Sequence, residues 1–137
     1  GYVLKGEVVS FLKDLGHEAI DLGTDSGLSV DYPDFAASVS KAVSEGNADL
    51  GLLVCGTGLG MAIAANKIRG IRAVTCSDTF SARASREHNN ANILCLGARV
   101  IGPGVALDIV RVWLESEFQE GRHTGRVSKI MDLESIK

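Results

Sequence analysis

The sequence predicts an α/β fold, a mainly parallel sheet with helices on both faces. Two observations carry this. Helix-like and strand-like segments alternate from end to end, so that strands lie side by side through crossover helices. The clearest strand, in the run "DLGLLVC" at residues 49–55, is almost continuously apolar, as a strand covered on both faces must be. The length, 137 residues, is that of one domain spanning 1–137, and it suffices to bury a core without disulfide or metal staples.

The elements follow in order. Leu4, Val8, Phe11, Leu12 and Leu15 recur at three- and four-residue intervals and mark one face of an amphipathic helix that Gly16 stops. "EAIDLG", residues 18–23, reads as a short strand, and "DSGLSVDYP" as a turn-rich loop. A second helix runs from about Asp34 to Ser44, with Phe35, Val39 and Val43 inward. After the 49–55 strand comes "GTGLG", then a third, alanine-rich helix from about Met61 to Lys67. "IRAVTC" is a buried strand, Asp78 caps a fourth helix, and "NILCLG" is a further strand. Pro103 sits in the first turn of a long helix reaching Glu115, where its missing N–H costs little. The polar tail ends in a helix from about Thr124. A doubly wound domain opens on a strand, whereas the first element here is a helix. The reading therefore expects an upstream strand, and the loop after it, that this sequence does not contain.

Composition narrows the function. Charged residues are 23% and hydrophobic residues 45%, which is ordinary for a folded protein in water. The net charge of −3 disfavours nucleic acid and anionic membranes as partners. No apolar run approaches the roughly 18 residues of a membrane span, and the start lacks the basic and apolar regions of a signal peptide. Cys55, Cys76 and Cys95 are odd in number and widely spaced, which fits reduced thiols and a cytoplasmic location. No Cys/His spacing fits a metal site.

The most informative stretch is "LLVCGTGLGMAIAANK". A buried strand ends at Cys55, and Gly56, Gly58 and Gly60 alternate before a helix. Ligands of open parallel sheets bind beyond the carboxyl ends of strands, where glycines let backbone N–H groups turn toward an anion. The same glycines also suit a tight turn with no ligand. Neither the P-loop nor the dinucleotide fingerprint matches, since no GK[ST] follows and the spacing is GxGxG. Cys55 has the placement of a reactive thiol, because a helix N-terminus lowers a thiol pKa from its usual value near 8.5; a buried, inert role fits it equally. Cys76 and Cys95 read as core residues. His88, in "SREHNNAN", serves as a helix-end cap or as a catalyst. His17 and His123 read as polar surface positions. Arg122 and Arg126 are four apart, on one face of a helix, and suit either a dianionic phosphate or open solvent.

As a set, "DYPDFA", "GLLVCGTGLGMAIAANKIRGIRAV", "SREHNNANIL", "LGARVIGPGVA" and "GRHTGRV" resemble, in order and spacing, the type B ribose-5-phosphate isomerases. That family also holds galactose-6-phosphate and allose-6-phosphate isomerases. The resemblance implies a Rossmann-like three-layer sandwich on a five-stranded parallel sheet, in a homodimer or a dimer of dimers. It implies aldose–ketose isomerisation of ribose 5-phosphate and ribulose 5-phosphate, in the pentose phosphate pathway, through a cis-enediolate, with no metal and no cofactor. Cys55 matches the proton-abstracting cysteine. Members that use a glutamate carry it just after the glycine loop, at the position of Met61 here, so this chain resembles the cysteine subtype. Thr57 with the backbone of Gly56, Gly58 and Gly60 matches the enediolate-binding loop, and Tyr32 a substrate-side tyrosine. His88 matches the acid of ring opening, Asn89 a hydroxyl ligand, and Arg99, Arg122 and Arg126 the phosphate-binding arginines. An Asp-His pair that the family places ahead of the residue matching Gly1 is not in this sequence. Two alternatives stand beside this reading: a hexose-6-phosphate isomerase, and a non-catalytic sugar-phosphate-binding module.

Overall fold

The computed structural model describes residues 1–136. Six helices and three strands follow the chain as α1 (Tyr2–Asp14), α2 (Tyr32–Ser44), β1 (Gly51–Cys55), α3 (Leu59–Ala65), β2 (Ala73–Thr75), α4 (Thr79–Glu87), β3 (Ile93–Gly97), α5 (Pro103–Glu115) and α6 (Arg122–Asp132), with a closing 3₁₀ turn at Leu133–Ser135. The strands are parallel in the order β1-β3-β2. From β1 the chain crosses through α3 to β2, then returns through α4 to lay β3 between them.

Side-chain alternation along the strands divides the core in two. Leu52, Val54, Leu94, Leu96 and Val74 point to one face and pack with α1, α4 and α5, where Trp113, Ile109 and Val110 are fully buried. Leu53, Ile93, Cys95 and Ala73 point to the other face and pack with α2 and α3. The three-layer arrangement thus follows from the period-2 pattern of a sheet that is apolar on both sides. α2 turns its small residues Ala36 and Ser40 inward, both fully buried, and this lets it lie close to the sheet with Val39 and Val43 at its flanks. Trp113 satisfies its indole N–H on Ser85 Oγ at 3.1 Å.

The sheet has three strands among the described residues, where the sequence led to an expectation of four within the chain. Residues 18–23, expected as a strand, form none. Strand geometry persists only where a neighbour accepts its ladder bonds. Here the segment lies across an open cleft of about 1440 Å³ from β1, lined by α1, α2 and residues 17–30. It is held instead by side chains: Asp21 accepts from the Gly23 N–H at 3.0 Å and pairs with Lys5 at 3.1 Å. At the opposite edge β2 is only three residues long. The backbone N–H and C=O of Ala73 are both taken by the side-chain amide of Asn66, at 2.8 and 2.9 Å.

The alanines of α3 contribute to this chain's own core. Ala65 is fully buried and Ala62 and Ala64 pack beside it. The outward face of α3 carries Leu59 and Ile63, 58% and 64% exposed.

Gly97 ends β3 where a Cβ would stand 2.6 Å from Thr57 O and 2.8 Å from Thr57 Cα. Both obstacles are backbone, so neither can yield as a flexible side chain would. Gly97→Ala is expected to destabilise the fold by about 1–3 kcal/mol, the usual cost of overpacking. Urea unfolding checks this, with a lower midpoint at unchanged slope as the outcome.

Candidate active site

The helices following β1 and β3 leave toward opposite faces of the sheet. That reversal opens a crevice beyond the carboxyl ends of the two strands, the usual ligand position in such sheets. Two loops meet there. Ala98 N–H donates to Cys55 O at 2.8 Å, and Arg99 N–H to Gly56 O at 3.0 Å. Thr75 Oγ1 at the end of β2 donates to Gly58 O at 2.8 Å. Gly58 adopts φ +80°, the left-handed region, and a Cβ there would meet Thr75 Cγ2 at 2.9 Å and Leu96 C at 3.1 Å. The glycine loop is therefore pinned by all three strands.

Cys55 sits at its rim, half-buried, and its Sγ accepts the Gly58 N–H at 3.1 Å. Thr57 and Leu59 are exposed beside it. Tyr32, at the start of α2, lays its ring over Gly60, so closely that a Cβ there would lie 2.4 Å from the hydroxyl. The Arg99 side chain reaches back to Gly56, 3.6 Å from the position of a Cβ. Cys55, Gly56, Thr57, Gly58, Gly60, Tyr32 and Arg99 thus come together at the carboxyl edge.

The other expected residues assemble elsewhere. His88 closes α4, its N–H donating to Ala84 O at 2.8 Å, and Asn89 follows it, exposed. Gln119 N–H donates to Glu87 O at 3.0 Å and ties the tail to this helix end. The tail then turns at Gly121 (φ +57°) into α6. Arg122 and Arg126 are both exposed on it, one turn apart. This cluster lies just ahead of β3, at the amino edge of the sheet, where Asn92 O receives the Gly51 N–H at 2.9 Å. Five residues of strand, roughly 16 Å, separate it from Cys55. Within one chain, then, Arg99 does not join Arg122 and Arg126, and His88 and Asn89 do not reach the glycine loop.

His123 departs from the surface position expected of it. It is 8% exposed, and its ring stacks on His88 with centroids 4.3 Å apart and planes at 16°. Burial, His88, Arg122 and Arg126 all push its pKa below the ordinary value. The sequence carried one signal for this: His123 and Val127 are four apart, and together they form the buried face of α6. The other two cysteines are core residues as expected. Burial pushes Cys76 up to about 11 and Cys95 up to about 12. Among the described residues, no three His, Cys, Asp or Glu side chains group as a metal centre needs. No helix there is long and apolar enough to cross a membrane.

Fold and site together define an α/β scaffold with a glycine-rich loop and a half-buried cysteine at a strand end. The model of the Ribose/Galactose Isomerase family matches residues 1–130, and the chain belongs to that family. It is 48% identical to ribose-5-phosphate isomerase B of Escherichia coli, over 98% of this chain and 90% of that protein. It is 44% identical to a D-erythrulose-4-phosphate isomerase of Pectobacterium atrosepticum, over 93% of this chain and 84% of that protein. The structure of ribose-5-phosphate isomerase B from Clostridium thermocellum superposes with a TM-score of 0.97 at 57% identity, covering 98% of this chain and 91% of that one.

Thiol accessibility tests the site directly. Between pH 7 and 9, iodoacetamide should label one cysteine of three, because Cys76 and Cys95 hold their protons until about pH 11 and 12 and are buried besides. Peptide mapping should place the label on Cys55, and native Cys55→Ala should take up none.

Proposed function

We propose that this chain interconverts ribose 5-phosphate and ribulose 5-phosphate, through a cis-enediolate and without a metal. The observation that carries the reading is the Cys55 Sγ held on the Gly58 N–H at the rim of the glycine loop. The reaction takes a proton from the carbon beside a carbonyl and returns it to the neighbouring carbon. It needs a base, donors for the enediolate oxygens, and an acid for the ring oxygen. The Cys55 thiolate serves as the base. The backbone around Thr57 faces the developing oxyanion with N–H groups fixed by strand packing, so little reorganisation accompanies the charge shift. Tyr32 closes the pocket over Gly60. His88 passes a proton to the ring oxygen, and Asn89 holds a hydroxyl. Arg99, Arg122 and Arg126 take the phosphate, whose binding energy aligns the reacting carbons. The two homologues above carry different sugar phosphates in their names, so a four-carbon phosphate is the arm to assay beside the pentose and hexose ones.

The roughly 16 Å between the two clusters exceeds the reach of one pentose phosphate. The working site therefore combines the glycine loop of one copy with His88, Asn89, Arg122 and Arg126 of another, in a homodimer with two shared sites. Leu59, Ile63 and Phe80, exposed at 58%, 64% and 72%, supply apolar surface for such an association.

Three measurements test this. Cys55→Ala is expected to lower kcat at least a hundredfold with KM little changed, since an acid–base group acts in the transition state. A residual kcat above about a tenth of wild type removes Cys55 from the role. Arg126→Ala should raise KM for ribose 5-phosphate by roughly tenfold to a hundredfold, the worth of a charge-assisted contact. It should leave the feeble turnover of free ribose unchanged, and equal losses on both substrates would contradict the phosphate assignment. Mixing Cys55→Ala with His88→Ala, each strongly impaired alone, should restore about a quarter of wild-type activity, because half the dimers are mixed and each holds one intact site of two. No recovery after subunit exchange would show that the sites are not shared.

A further inference from the structure

We propose that His123 is a positioning residue that holds the His88 ring in register for proton transfer, and that it does so as a flat, uncharged wall; this rests on the catalytic reading of His88. The backbone around His88 fixes its Cα: its N–H caps the last turn of α4, and Gln119 clamps the preceding carbonyl. Nothing in that backbone fixes χ1 and χ2. Among the described residues no hydrogen bond orients the His88 imidazole, and His88 is only half-buried. What meets the ring is the face of His123, nearly parallel at 4.3 Å. A stack at that distance limits rotation about both side-chain torsions, because any large swing drives one ring into the other.

Charge completes the argument. Two imidazolium rings this close repel, so the stack persists only while one of them is neutral. The groups bearing on His123 are His88 from α4 and Arg122 and Arg126 from its own helix, with no carboxylate among them; burial acts in the same direction. All of them disfavour a proton on His123. His123 cannot swing away to relieve the stack, since it is anchored with Val127 on the buried face of α6. The far end of α6 is fastened in turn by Glu134, whose carboxylate accepts the Gly70 N–H at 2.7 Å, and by Met131, whose sulfur receives Arg72 Nη1 at 3.4 Å.

The same position between two arginines also fits a direct phosphate ligand, and the experiment separates the two roles. His123→Ala, His123→Leu and His123→Phe are compared for kcat and KM on ribose 5-phosphate and for inhibition by inorganic phosphate. Ala and Leu remove the flat face, and Leu keeps the volume in case Ala fails to fold. Both are expected to lower kcat roughly tenfold, the scale of a small misplacement of a catalytic group, with KM and phosphate inhibition within about twofold of wild type. Phe restores a flat, uncharged face and should return kcat to within about threefold. In a His88→Ala background His123→Leu should cost nothing further, because the two residues act as one unit. The proposal is overturned if Phe is as slow as Leu, if the loss appears in KM and phosphate inhibition instead of kcat, or if the effects of His88 and His123 add. A normal kcat in His88→Ala itself overturns the catalytic reading of His88, and this inference with it. A slow His88→Ala beside an unimpaired His123→Leu overturns this inference alone.

Discussion

The close approach of Thr57 to Gly97 governs the rest of the site. No side chain fits at Gly97, so the loop after β1 comes down onto the end of β3 and exchanges two backbone hydrogen bonds with the residues beyond it. β2 adds Thr75 beneath Gly58. Each strand of the sheet thereby fixes one point of a five-residue loop. The Cys55 sulfur occupies its position through this sheet packing and the Gly58 N–H that the packing holds against it. A rigid element positions a reactive atom better than a free loop does.

The molecule is electrically divided. The chain carries a net charge of −3, yet Arg72, Arg86, Arg122 and Arg126 collect near the amino edge of the sheet. Arg86 lies over the Trp113 ring at 5.4 Å and donates to Ala91 O, while burial and neighbouring Arg72 push its pKa down. Arg72 donates to Asn90 O at 2.8 Å. These two guanidiniums are committed to holding the loop between α4 and β3. Arg122 and Arg126 remain exposed.

Most of the architecture was legible in the sequence because its signals are local. The 49–55 run, the Asp78 cap and Pro103 each specify an element through their own neighbours, and each stands where expected. Residues 18–23 were misleading, because a short partly apolar segment has strand propensity without a hydrogen-bonding neighbour, and only the neighbour makes a strand. His123 was missed because its burial depends on α6 folding back onto the end of α4, a contact between segments 35 positions apart. The glycine loop lies between β1 and α3, where its sequence placed it. That its residues and the tail arginines stand at opposite ends of the sheet follows from strand direction, which a list of matching residues does not contain.

The side-chain amide of Asn66 has a consequence for the behaviour of many molecules together. The outward N–H and C=O of Ala73 are the groups with which an edge strand would recruit a foreign strand. A single asparagine occupies both, in the geometry that a pairing backbone would otherwise use. With β2 only three residues long, this leaves little unpaired ladder on that side of the sheet. Aggregation through this edge is thus opposed by one residue that also closes α3, so that the helix stop and the protection of the sheet margin are a single device.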